Sequence, residues 1–150
     1  MSLRVALLAA TALTLGACDL EPDVGPPTQY RCIDEDSNPG VTVSWRRDIA
    51  PMFLRDQAGC AQCHDPGRTN PIGVQLSGLD LSSLNSTREG GARSGGTIVV
   101  AGSPCQSVLY LKLLAGPPFG GRMPLDGPPY LSTVELDLVH DWIAEGARDN

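Results

Sequence analysis

Cys60-Ala61-Gln62-Cys63-His64 is the stretch on which the reading of this 150-residue chain turns. Two thiols three positions apart, carried on one turn of chain, can add across the two vinyl groups of a single haem. The residue that follows, His64, then lies beneath the porphyrin and offers an imidazole nitrogen to the iron. The spacing matters because both thioethers and the axial ligand must reach one rigid macrocycle. Three other chemistries share the motif. A thioredoxin-like dithiol usually follows a strand in a βαβ unit, whereas Trp45 to Ala58 reads as a helix. A zinc site needs four ligands at tetrahedral spacing; adjacent Cys63 and His64 make an awkward pair, and no second ligand cluster accompanies them. A disulfide between Cys60 and Cys63 is the third alternative. The motif predicts one covalently attached haem c.

Covalent attachment of this kind takes place outside the cytoplasm, and the N-terminus independently points there. Met1-Ser2-Leu3-Arg4 precedes an apolar run from Val5 to Leu15, the pattern of an export signal and too short to span a bilayer comfortably. The run ends Leu15-Gly16-Ala17-Cys18, which resembles the lipobox of bacterial lipoproteins. That resemblance implies cleavage after residue 17, acylation of Cys18 and a membrane anchor on an exported domain facing the periplasm or cell exterior. Acyl chains supply about 0.8 kcal/mol per buried CH₂. A plain signal peptide with a chance cysteine is the alternative. Residues 18–40 hold Pro22, Pro26, Pro27 and Pro39 among acidic residues without periodicity, and read as a flexible tether. Residues 41–150 are expected to form the folded domain.

Composition narrows the function further. The chain carries 11 basic and 17 acidic side chains; removal of the first 17 residues takes away only Arg4, leaving 10 basic and 17 acidic, a net of −7. That sign argues against a nucleic-acid binder, which needs a basic face to displace counterions from phosphate. It favours a protein partner with a basic docking patch. With 17 glycines and 13 prolines, much of the backbone must be turn and loop, and only 5% of residues are aromatic. A small loop-rich domain of this sort is commonly stapled by a metal, disulfide or buried cofactor.

Three helices are predicted. The first spans about Trp45 to Asp56, with Ser44 as cap and Pro51 interrupting it. The second opens at Ser103-Pro104 and stops at Gly116-Pro117, its apolar Val108, Leu109, Leu111, Leu113 and Leu114 nearly encircling it. The third has Ser132 and Glu135 as a capping box and a stripe of Val134, Leu138, Val139, Trp142 and Ile143. Ile98 to Val100 is expected to form a short strand paired with Leu79 to Leu81. The glycine-rich run between them, Gly90 to Gly96, lacks a Gly-Lys-Ser/Thr ending and reads as a flexible surface turn rather than a phosphate cradle.

Over most of residues 41–150 the chain resembles small monohaem c-type cytochromes (class I-like), and in particular the cytochrome-c-like domains of bacterial lipoproteins. The resemblance rests on Asp48-Ile49-Ala50-Pro51, Cys60 to His64, Leu79-Asp80-Leu81, Ile98 to Pro104, Ser107-Val108-Leu109-Tyr110, Arg122-Met123-Pro124 and Trp142 to Ala147. It implies a mainly α fold of about three helices around one haem, long Gly/Pro-rich loops, and single-electron transfer as the role. A sixth iron ligand must come from elsewhere in the chain. Met1 leaves with the signal, and Met52 lies on an apolar helical face beside Phe53, a packing position. Met123, in Gly120-Gly121-Arg122-Met123-Pro124, stands on a loop from which a thioether can approach iron opposite His64. His140, in the last predicted helix, is the alternative ligand. His/Met ligation raises the reduction potential relative to His/His.

Two cysteines remain after lipid and haem. Cys32 and Cys105 make an even pair in an oxidising compartment, where a disulfide is expected, with two unpaired thiols as the alternative. Arg122 is a candidate contact for a haem propionate, as are Arg68 and Arg93. The reading is therefore a membrane-tethered electron carrier, not an enzyme. Its rivals are a haem-based sensor or ligand-binding module with an open or displaceable sixth position, a peroxidase-like enzyme, and a haem-free interaction lipoprotein.

Overall fold

A computed structural model describes residues 32–56 and 59–150. The expected signal peptide, Cys18 and the start of the tether lie outside the described residues. Among those residues the fold is mainly helical, with six α-helical segments and no strand. They are α1 (Ala50–Leu54), α2 (Ala61–His64), α3 (Ile72–Ser77), α4 (Leu84–Glu89), α5 (Val108–Leu113) and α6 (Thr133–Ala144). None is long and apolar enough to cross a membrane.

The first predicted helix exists in two parts. Ser44 caps it through its hydroxyl, which accepts from the Arg47 N–H at 3.3 Å, while Asp48 accepts from the Ser44 N–H at 2.7 Å. Trp45–Ile49 then winds as a π-turn before α1 begins. Pro51, which has no N–H to give, falls in the opening turn of the α segment, where that donor is dispensable. The second predicted helix is divided. Pro104–Gln106 forms a 3₁₀ turn, Ser107 is extended at φ −85°, ψ 113°, and only then does α5 start. Ser103 gives no side-chain cap. The break is tertiary in origin: the buried Ser107 hydroxyl accepts from the Val100 N–H at 2.8 Å and donates to the Ser103 carbonyl at 3.0 Å.

Helix α6 begins as predicted. The Ser132 hydroxyl meets the Glu135 N–H, and Glu135 Oε2 accepts from the Ser132 N–H at 2.8 Å. Val139, Trp142 and Ile143 are fully buried, but Val134, assigned to the buried stripe, is 68% exposed. The core is built where α6 crosses the first helical segment. Trp45 lies 5.3 Å from Trp142 and 5.8 Å, edge-on, from Phe53. The Arg148 carbonyl ties the two together, accepting from Trp45 N–H and Trp142 Nε1.

Three expectations need correction. Residues 98–100 and 79–81 do not pair as strands. The Ile98 carbonyl accepts from Leu109 N–H at 2.9 Å, at the start of α5, while the Leu81 N–H donates to the His64 carbonyl at 2.7 Å. Each segment spends its backbone groups on a helix terminus instead of on the other. The number of helices also exceeds three, because α2, α3 and α4 fold from segments of four to six residues for which no helix is predicted. The Gly90 to Gly96 turn is packed, not loose: Ala92 N–H donates to the Ser77 carbonyl at 2.7 Å.

The folded body starts before Val41. Cys32 is disulfide-bonded to Cys105, 73 positions away. The next residues lie along α6: the Ile33 carbonyl is 2.7 Å from His140 Nε2, and Ser37 donates from its N–H and hydroxyl to Asp141 at 2.9 and 2.6 Å. This part of the expected tether is a strap on the domain.

Candidate functional site

The motif occupies a single helical turn. The Cys60 carbonyl accepts from the Cys63 N–H at 3.2 Å and the His64 N–H at 2.9 Å, so residues 60, 63 and 64 share one turn, as the spacing required. Gly59 permits the entry, since a Cβ there would collide with the Arg55 carbonyl. Both thiols are free and half-buried. Cys60 packs against the core, and burial pushes its thiol up to about 11, with the Arg55 charge opposing. The Cys60 thiol is therefore protonated at neutral pH. Arg55 itself is anchored by Glu135 at 2.6 Å, which links α1 to the N-terminus of α6.

His64 is held at both ends. Its backbone carbonyl accepts from Leu81, and its Nδ1 lies 3.1 Å from the Leu79 carbonyl. A carbonyl only accepts, so Nδ1 carries the proton and Nε2 the lone pair. Burial holds the imidazole below its ordinary histidine value, partly offset by the Leu79 bond. The ring is neutral at pH 7, and Nε2 makes no hydrogen bond among the described residues. This is the state a metal-ligating histidine must have, with its second nitrogen fixed by a carbonyl. On the neighbouring α3, Gly73 approaches the ring so closely that a Cβ there would stand 2.7 Å from Cε1 and Nε2.

Met123 is half-buried against the same core as Cys60 and Leu79, and Met52 packs there too, from α1. The Met123 N–H donates to the Lys112 carbonyl at the end of α5, at 2.8 Å. His140 is differently placed. It is 7% exposed, with Nε2 on the Ile33 carbonyl, Nδ1 2.8 Å from Asp141, and its ring edge-on to Tyr110. Both of its nitrogens are occupied. Arg122 is also committed elsewhere: Nε donates to the Leu113 carbonyl at 2.7 Å, and the guanidinium lies 4.0 Å over the Tyr130 ring. Arg68 is bonded to Asp56, Asp65 and the Leu54 carbonyl, while exposed Arg93 lies over Phe119.

The structure thus gathers Cys60, Cys63 and His64, and sets Met123 on a loop fastened to α5. These side chains offer two thiols, one neutral imidazole and one thioether, the donors on which the haem expectation rests. No group of three or more His, Cys, Asp or Glu side chains able to hold a metal ion occurs among the described residues. The segment ahead of the motif is helical, not the strand of a thioredoxin-type unit. Sequence reasoning missed the Leu79 carbonyl and Gly73. Leu79-Asp80-Leu81 was visible as a motif, but nothing in its letters says that a carbonyl is the working group. Compared with known proteins, the chain matches no family model, no curated protein and no solved structure.

Proposed function

We propose that the chain is a monohaem c-type cytochrome that passes single electrons between partner proteins. Cys60 and Cys63 hold the haem as thioethers, His64 binds the iron through Nε2, and Met123 is the sixth ligand. The haem supplies Fe(III)/Fe(II) cycling; the chain supplies attachment, ligands and an apolar surround that tunes the potential. The observation that carries the reading is the His64 ring, neutral, tied at Nδ1 to Leu79 and without a hydrogen bond at Nε2 among the described residues, directly after two free thiols on the same turn. Met123 is preferred to His140 because both nitrogens of His140 are already bonded. The export signal and Cys18 support a lipid-anchored location outside the cytoplasm, and the net charge of −7 after residue 17, from 10 basic and 17 acidic side chains, favours a partner with a basic docking face.

The test uses the chain expressed in a host equipped for cytochrome maturation. Covalent haem should survive a denaturing gel and disappear in Cys60→Ala/Cys63→Ala. The ferric protein should be low-spin with a far-red sulfur-to-iron band, lost in Met123→Ala and kept in His140→Gln. High-spin ferric iron in the unaltered chain would point to a sensor or ligand-binding module. A colourless protein with both thiols open to alkylation would overturn the reading altogether.

A further inference from the structure

Lys112 is the only lysine in the chain, and it grips the loop that carries Met123 from both sides. Helix α5 ends at Leu113, so the carbonyls of its last turn have no partner within the helix. The loop supplies them. Met123 N–H donates to the Lys112 carbonyl at 2.8 Å, and Arg122 Nε to the Leu113 carbonyl at 2.7 Å. In return, Lys112 Nζ reaches out of the helix and donates to the Phe119 carbonyl at 2.7 Å and to the Gly121 carbonyl. Its ammonium also lies 5.1 Å from the centre of the Phe119 ring, which Arg93 covers at 4.6 Å. One residue therefore fixes positions 119, 121 and 123 through three hydrogen bonds and a ring contact.

Beyond the φ angles that Pro117 and Pro118 fix, the composition of Gly116-Pro117-Pro118-Phe119-Gly120-Gly121 does little to hold a defined path. Two of its three glycines, Gly116 and Gly120, sit at positive φ, backbone that costs conformational entropy to order. Charge-assisted bonds to two carbonyls offset that cost. We propose that Lys112 is the positioning residue for Met123: its ammonium sets how firmly the loop presents the thioether, and so how readily an outside ligand displaces it. The proposal rests on Met123 being an iron ligand for its second half, while the fastening of the loop stands independently of haem.

The experiment compares the full chain with Lys112→Met, which keeps the methylenes and removes the ammonium, and Lys112→Arg, which keeps a donor for both carbonyls. Two quantities are read. Amide hydrogen exchange over residues 119–123 should accelerate about tenfold or more in Lys112→Met. The rate at which imidazole replaces sulfur on ferric iron should rise by a similar factor, with covalent haem and far-ultraviolet dichroism unchanged. Lys112→Arg should return both towards the original values. Unchanged exchange in Lys112→Met overturns the fastening; faster exchange with an unaltered imidazole rate overturns the link to ligation. A colourless parent protein would refute the haem reading and with it the ligation half, while exchange alone would still decide whether Lys112 holds the loop.

Discussion

A histidine becomes a ligand through what its neighbours leave it to do, and the contrast between His64 and His140 makes the point. Each is partly or fully buried, yet among the described residues one keeps a nitrogen without a hydrogen bond and the other does not. The difference lies in backbone carbonyls and a carboxylate brought in from residues 15 and 107 positions away, or from the adjacent position. Cys60, Cys63 and His64 can be read directly from sequence because their chemistry is local to one turn. Leu79 and Gly73 cannot, because their contribution is a main-chain atom and a missing side chain. Gly73 gives a direct test. A Cβ at that position would meet His64 Cε1 and Nε2 at 2.7 Å and the Cys63 carbonyl at 2.8 Å, and one of those neighbours is rigid backbone. Gly73→Ala should therefore lower stability by about 1–3 kcal/mol, as overpacking does, and reduce the yield of covalent haem. Denaturant midpoints and haem content per protein measure the two effects. If both match the parent, the close approach of α3 to the imidazole has no consequence.

Helix α6 was readable because its start is written locally and its length spans three turns. Ser132 and Glu135 satisfy one another's backbone donors within four residues, and the same Glu135 carries Oε1 to Arg55 at 2.6 Å. Burial alone would raise the Glu135 carboxyl, but the bonds from Ser132 and Arg55 outweigh it and hold it below the ordinary glutamate range. Helix α5 was misread for the opposite reason. Ser103-Pro104 carries the letters of a helix start, a cap residue followed by proline, but Ser107 is pulled out of helical geometry by Val100 and Ser103, a contact that start signals do not encode. Segments as short as α2 to α4 lack even two turns to show a period. The supposed strand at 98–100 was apolar because Ile98 is buried under α5, and a short apolar run does not by itself distinguish a strand from a capped turn. The capping box yields a prediction of its own: Ser132→Ala should destabilise the domain by about 1 kcal/mol, seen as a lower denaturant midpoint. No shift in that midpoint would mean that the Arg55 bond alone sets the start of α6.

The domain as a whole is closed by its own N-terminal strap. The Cys32–Cys105 bond joins residues 73 positions apart, which on the chain-entropy account stabilises the fold by about 4 kcal/mol. Cysteine arithmetic anticipated the bond, but not that residues 33–37 would bind α6, since that depends on Asp141, whose letter carries no sign of a distant partner. Asp141 is 5% exposed. Burial would raise its carboxyl, yet the hydrogen bonds from Ser37 and His140 hold it below the ordinary 3.8. A carboxyl depressed in the folded state binds protons more weakly there than in the unfolded chain, so its contribution is complete above pH 3.8 and fades as pH falls through the folded value. Asp48 follows the same sign, its burial outweighed by bonds from Ser44 and Arg47. Glu145 opposes it: burial and the nearby Asp36, Asp141 and Asp48 raise its carboxyl above 4.5, so its ionisation costs stability as pH rises beyond that value. Asp141→Asn separates these effects. At pH 7 it should lower stability by about 1.5–3 kcal/mol, the worth of hydrogen bonds to a charged group, and relieve part of the rise at Glu145. Below pH 3.8 the parent loses the same contribution by protonation, so urea midpoints of parent and variant should converge there. A gap that stays as wide in acid as at neutrality would mean that the Asp141 charge does not hold the strap.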